Sequence, residues 1–125
     1  MSARILVIED NLKNIKLVRD VLQYAGYEVV EAHTGEEGIK AAARCEPDLV
    51  LMDLQLPGID GTETLRQLRA HERRHIPVLA VTAFAMREDR DRAIAAGFDG
   101  YVEKPISVRA FPGQVNGFLE RNAVT

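Results

Sequence analysis

Cys45 is the only cysteine in the 125 residues, which excludes an internal disulfide and suits a reducing cytosol. An excess of basic charge is missing as well. Sixteen Lys and Arg stand against 19 Asp and Glu, a formal charge of -3, so the chain carries no electrostatic footprint for nucleic acid or an anionic membrane. No apolar run approaches the roughly 20 residues of a membrane span. Met1-Ser2-Ala3-Arg4 leads through Ile5–Ile8 directly into acids, unlike a signal peptide. There is no internal repeat, low-complexity tract or linker. Secretion, membrane insertion and direct DNA binding are not expected of this chain, and a cytoplasmic location is.

What is present is an ordinary globular composition, 46% hydrophobic and 28% charged. A chain of this length forms one domain, here expected over residues 1–125, and buries about two-thirds of its unfolded surface. Five short apolar stretches punctuate it: Ile5–Ile8, Glu28–Glu31, Leu49–Met52, Val78–Val81 and Gly100–Val102. Three of them are continuous runs, the pattern of strands buried on both faces. Between them the spacing is helical. Leu12, Ile15, Val18, Leu22 and Ala25 recur at intervals of three and four, and Gly26 follows as a stop. Residues 35–44, 61–72, 87–96 and 107–120 give four more helices, with Gly97 ending the fourth. Strand and helix alternate five times, which predicts an α/β fold: a doubly wound parallel sheet with helices on both faces and right-handed crossovers. The chain ends where the fifth helix is expected to end, so no output domain is expected.

Such sheets bind ligands at the carboxyl ends of their strands. Glu9, Asp10 and Asn11 follow the first run, Asp53 the third, Thr82 and Ala83 the fourth, and Glu103, Lys104 and Pro105 the fifth. Singly each has an ordinary explanation: a helix cap for Asp10 or Asn11, a solvated loop for Asp53, a strand end for Thr82, a surface charge for Lys104. Together they place three carboxylates, a hydroxyl and an ammonium on one sheet edge. Clustered carboxylates repel unless one is protonated or a cation matches them. An oxygen-only set without thiolate or imidazole favours a hard divalent ion, Mg2+ before Zn2+. Asp53 is then a candidate nucleophile toward phosphorus. The metal, Lys104, the Thr82 hydroxyl and a backbone N–H near Ala83 would supply positioning and charge neutralisation.

The segments Ile5-Leu6-Val7-Ile8-Glu9-Asp10-Asn11, Asp48-Leu49-Val50-Leu51-Met52-Asp53, Leu56-Pro57-Gly58-Ile59-Asp60-Gly61, Val81-Thr82-Ala83 and Lys104-Pro105 resemble the receiver domain of two-component response regulators, in order and along essentially the whole chain. Thr82-Ala83-Phe84-Ala85-Met86 and Lys104-Pro105-Ile106-Ser107 are similar to single-domain regulators of the DivK type. The resemblance implies a flavodoxin-like five-stranded sheet of order 2-1-3-4-5 with five helices. It implies that Asp53 accepts a phosphoryl group from a phosphohistidine, so that a sensor histidine kinase or histidine phosphotransferase stands upstream and a protein target downstream. The chain would be a signalling switch that catalyses only its own Mg2+-dependent phosphorylation and dephosphorylation. Asp10 and Asp53 would ligate Mg2+, Glu9 mainly through water, and Gln55 through its backbone carbonyl. Thr82 would bind a phosphoryl oxygen, Lys104 would pair with its charge, and Tyr101 would occupy the switch-aromatic position. A cis bond at Lys104-Pro105 is also implied.

Two departures from the family pattern stand out. The acid pair is Glu9-Asp10 where many members carry two aspartates. In the fifth helix, with Ser107 as N-cap, Pro112 falls about one turn in, and Gly113 and Gly117 each weaken a helix interior by roughly 0.5–1 kcal/mol.

Three other readings compete. His71-Glu72-Arg73-Arg74-His75 matches the H-E-x-x-H pattern of zinc proteases, but it lies at a helix end that Ile76-Pro77 terminates and carries two arginines. A nucleotide- or flavin-binding fold would need a glycine-rich loop where Glu9-Asp10-Asn11-Leu12-Lys13 stands. A scaffold that has lost phosphorylation is disfavoured by the intact set Asp53, Asp10, Thr82 and Lys104.

Overall fold

The computed structural model describes residues 3–56, 58–71, 75–83 and 87–124, with the side chains of 87–89 and 121–124 set aside. Five strands, β1 (Arg4–Ile8), β2 (Glu28–Ala32), β3 (Leu49–Asp53), β4 (Val78–Thr82) and β5 (Gly100–Glu103), alternate with α1 (Leu12–Tyr24), α2 (Gly35–Cys45), α3 (Gly61–His71), α4 (Arg87–Ala96) and α5 (Phe111–Val124). All strand pairs are parallel and the sheet order is β2-β1-β3-β4-β5, as the alternation and the resemblance imply.

The continuous apolar runs serve two cores at once. Alternate residues point to opposite faces of the sheet. Ile5, Val7, Leu49, Leu51, Leu79 and Val81 meet Ile15, Val18, Leu22, Phe111 and Val115 of α1 and α5. Leu6, Ile8, Val50, Met52, Val78 and Ala80 meet Ala41, Leu65, Leu68 and Ala93 of α2, α3 and α4. Leu12, which heads the apolar spacing of α1, lies at the first helical position above the carboxyl end of the sheet and is exposed.

Helix boundaries follow local chemistry. The Asn11 side chain accepts hydrogen bonds from Lys13 N and Asn14 N, both at 3.0 Å, and caps α1. Gly26 at φ 98° and Gly97 at φ 111° take the left-handed turns after α1 and α4 that a side chain would strain.

The fifth helix differs from its sequence reading. It runs over Phe111–Val124, beginning four residues later than 107 and ending beyond 120. Ser107 Oγ accepts from Ala110 N at 3.1 Å, and Phe111 N donates to Ser107 O at 2.9 Å, so Ser107 organises a separate turn. Pro112 therefore lies in the first helical turn, where its missing N–H has no intrahelical carbonyl to lose. Phe111 and Val115 are fully buried, with Phe118 and Leu119 packed against the same core.

Candidate functional site

Asp53 and Thr82 are the final residues of their strands, not the first residues beyond them. The ladder continues through Asp53↔Val81 and Thr82↔Glu103, and both side chains are buried, at 5% and 1% exposure. Their positions are thereby fixed by sheet hydrogen bonds, and loops contribute only the residues that follow.

Lys104, immediately after β5, is tied down by its own backbone N–H, which donates to Thr82 O at 2.8 Å. The peptide bond to Pro105 is cis. Its ammonium lies 2.8 Å from Asp53 Oδ2 and 3.3 Å from Glu9 Oε1, bridging the ends of β1, β3 and β5. The other Asp53 oxygen, Oδ1, accepts from Gln55 N at 2.9 Å. Glu9, also buried, leaves Oε2 without a hydrogen-bond partner among the described residues. Asp10 stands beside them, exposed to solvent.

The crowding shows in the acidities. Burial and the neighbouring Asp53 push Glu9 up to about 7. Burial works against ionised Asp53 as well, but hydrogen bonds from the Glu9 carboxyl, Lys104 and Gln55 N outweigh it and hold its pKa below the ordinary value. Burial likewise opposes the Lys104 charge, and Asp53 and Glu9 more than offset it, so its pKa is raised. At neutral pH the site thus contains a carboxylate, a lysinium and a carboxyl that readily holds a proton.

One carboxylate oxygen each from Glu9, Asp10 and Asp53 lie within 4.8 Å of one another. These are oxygen donors only, and Glu9 Oε2 is buried and unpartnered, so the residues present fit a small hard divalent cation. Among the described residues, neither histidine of the H-E-x-x-H motif belongs to a metal-holding group. His71 ends α3, residues 72–74 lie outside the described residues, and His75 Nε2 is 2.6 Å from Asp99 Oδ1. Asp99 Oδ2 also takes Arg69 at 2.7 Å and Val78 N at 2.8 Å, a clasp at the amino-terminal end of β4. No spacing in the sequence marks that clasp, because its members come from three separate elements.

Thr82 lies one residue past the register partner of Asp53 and lines a cleft of about 220 Å³ with Leu54, Asp60, Thr62, Arg92, Ala93 and Phe98. Tyr101 pairs in register with Ala80, packs half-buried against the second core, and carries the Arg90 guanidinium 5.4 Å from its ring centroid. Sequence reasoning had no signal for Arg90. It is one charge among several in α4, and only the fold sets it against the ring.

Residues 5–116 match the family described as the response regulator receiver domain. The chain is 42% identical over 120 residues to the polar-differentiation response regulator DivK of Brucella ovis, covering 95% of this chain and 98% of that one. A putative response regulator from Chloroflexus aurantiacus superposes with a TM-score of 0.90 at 29% identity, covering 96% and 99% of the two chains. The receiver domain of sensor histidine kinase PA1611 from Pseudomonas aeruginosa, described with magnesium coordinated in its active site cleft, gives 0.84 at 32% identity with full coverage of both chains.

Proposed function

The chain belongs to the response regulator receiver family, and on that premise we propose that it is a cytoplasmic phosphorylation switch whose acceptor is Asp53. The observation that carries this reading is the pairing of a buried, ionised Asp53 with Lys104 beside an unsatisfied carboxyl. A carboxylate held in this way is a preformed nucleophile, and phosphoryl transfer asks chiefly for positioning and charge neutralisation.

The donor is a phosphohistidine on a histidine kinase or phosphotransferase. A carboxylate oxygen of Asp53 forms the new P–O bond as the N–P bond breaks, and the departing imidazole keeps the electron pair and takes up a proton. Lys104, already within ion-pair distance of Asp53, neutralises charge on the transferred group. Thr82, at the end of the neighbouring strand, supplies a hydroxyl to a phosphoryl oxygen. Glu9, Asp10 and Asp53, with the Gln55 carbonyl, would hold Mg2+. When bound, that ion screens the carboxylates and polarises the phosphoryl oxygens.

Phosphorylation replaces one carboxylate with a larger dianion. Thr82 moves toward it, leaving space that Tyr101 fills. The group biases two states already present, and output passes to a protein target through α4 and β5.

Incubation with Mg2+ and acetyl phosphate, followed by mass analysis of peptides, tests the acceptor. One hydroxylamine-labile phosphoryl group on Asp53, absent from Asp53→Asn, is the expected result. A full-yield adduct in that variant removes Asp53 from the mechanism.

A further inference from the structure

Helix α4 is held thinly. Among its described side chains Ala93 alone is buried, while Arg90, Asp91, Arg92 and Ile94 are exposed. Arg90 stands one turn before Ala93, and residues three apart share a helix face. On that face the guanidinium covers the Tyr101 ring at 5.4 Å, within the range of a cation–π contact. Ala93, on the same face, also lines the 220 Å³ cleft with Thr82 and Phe98.

We propose that Arg90 is a positioning residue of the switch: its guanidinium latches the Tyr101 ring in the half-buried position it takes here and so sets the fraction of unphosphorylated protein that already occupies the active arrangement. This rests on the phosphorylation reading above and adds to it the residue that fixes the resting balance. An exposed cation–π contact biases a two-state equilibrium by about two- to five-fold. A planar guanidinium provides both charge and a stacking face, whereas a lysine retains only the charge.

The full chain is compared with Arg90→Met and Arg90→Lys, which keep the length of an exposed side chain and leave the core untouched. The first readout is the set of Tyr101 ring proton and carbon shifts without phosphodonor. The second is the rate of adduct formation from acetyl phosphate with Mg2+. In Arg90→Met the ring shifts move toward those of the phosphorylated protein and the adduct forms about two- to five-fold faster, because the reactive state is more populated. Arg90→Lys falls between. In a Tyr101→Ala background the same Arg90→Met change leaves the rate unaltered, an outcome that a general effect on α4 would not give.

Unchanged ring shifts and unchanged rate in Arg90→Met, with the parent protein forming its adduct normally, overturn the latch while leaving the acceptor assignment intact. Failure of the parent to form any adduct overturns the phosphorylation reading, and the latch as a switch element with it.

Discussion

The ammonium of Lys104 lies 2.8 Å from Asp53 Oδ2 and thereby ties the end of β5 to the end of β3 across the full width of β4. The same ammonium reaches Glu9 on β1 at 3.3 Å. One cation thus joins three strand ends and offsets the mutual repulsion of two buried acids.

Lys104→Met should therefore destabilise the protein by about 1–3 kcal/mol, the cost of removing hydrogen bonds to buried charged groups. The loss stays at that level because Glu9 can neutralise itself by holding its proton. Urea unfolding at neutral pH measures it. A midpoint equal to that of the parent would show that the bridge contributes nothing to stability.

Glu9 gives the fold an unusual pH dependence. It titrates at about 7 when folded, against an ordinary value of 4.5. Between these values the folded protein holds a proton that the unfolded chain has released, so stability falls as pH rises from about 4.5 to about 7 and levels off above. Asp53 runs the other way: its lowered pKa contributes stability above about 3.8 that is lost as acid protonates it. The two windows do not overlap. Glu9→Gln, which has no proton to lose, should flatten the slope and exceed the parent in stability at about pH 8. Parallel profiles for the two proteins between about pH 5 and about pH 8 would mean that Glu9 is ionised throughout.

Mg2+ should stabilise the folded chain by mass action, by about 2.7 kcal/mol at a hundredfold excess over its dissociation constant. Asp10→Ala should suppress that gain more than Glu9→Ala, since Asp10 is exposed and can turn toward a cation, whereas Glu9 is buried and its pKa is pushed up to about 7. Thermal unfolding across a Mg2+ titration reads the difference. Equal gains in the parent and in Asp10→Ala would remove Asp10 from the site.

In α5, a Cβ added at Gly113 or Gly117 meets nothing within 4 Å. Gly113→Ala and Gly117→Ala should each stabilise the protein by about 0.5–1 kcal/mol. Pro112→Ala should bring no gain, because Pro112 occupies the first turn, where its ring costs no hydrogen bond. Chemical unfolding ranks the three variants, and a gain from Pro112→Ala comparable to the glycine changes would contradict the helix start at Phe111.

The acidic cluster and its lysine are legible in the sequence for a specific reason. Each follows or closes a run of sheet residues, and a parallel sheet gathers all such ends along one edge. Gly26 and Gly97 mark helix ends because only a backbone tolerant of positive φ fits there. The start of α5 is not legible in the same way. Ser107 is a good cap in isolation, and only the packing of Phe111 and Val115 decides that it caps a turn and not the helix. Glu46 closes α2 in the left-handed region at φ 47°, a place where the sequence offers no glycine as a signal. The protonation of Glu9 is hidden for a related reason, since it depends on how deeply the sheet edge buries a carboxyl that sequence alone leaves at the mouth of a loop.

The Asp99 clasp sits at the far end of α4 from the phosphoacceptor edge, binding Arg69, His75 and the backbone of Val78. It anchors the junction between α4 and β5 to α3 and β4. A helix fixed at one end moves as a lever, with its largest travel at the other. Ten residues of α4 rising 1.5 Å each make an arm of about 15 Å, so a tilt of about 10° about the clasp carries the opposite end through roughly 2.5 Å. The clasp is the fulcrum of that arm, so a tilt of α4 is felt least beside Asp99 and most at the end that follows Thr82.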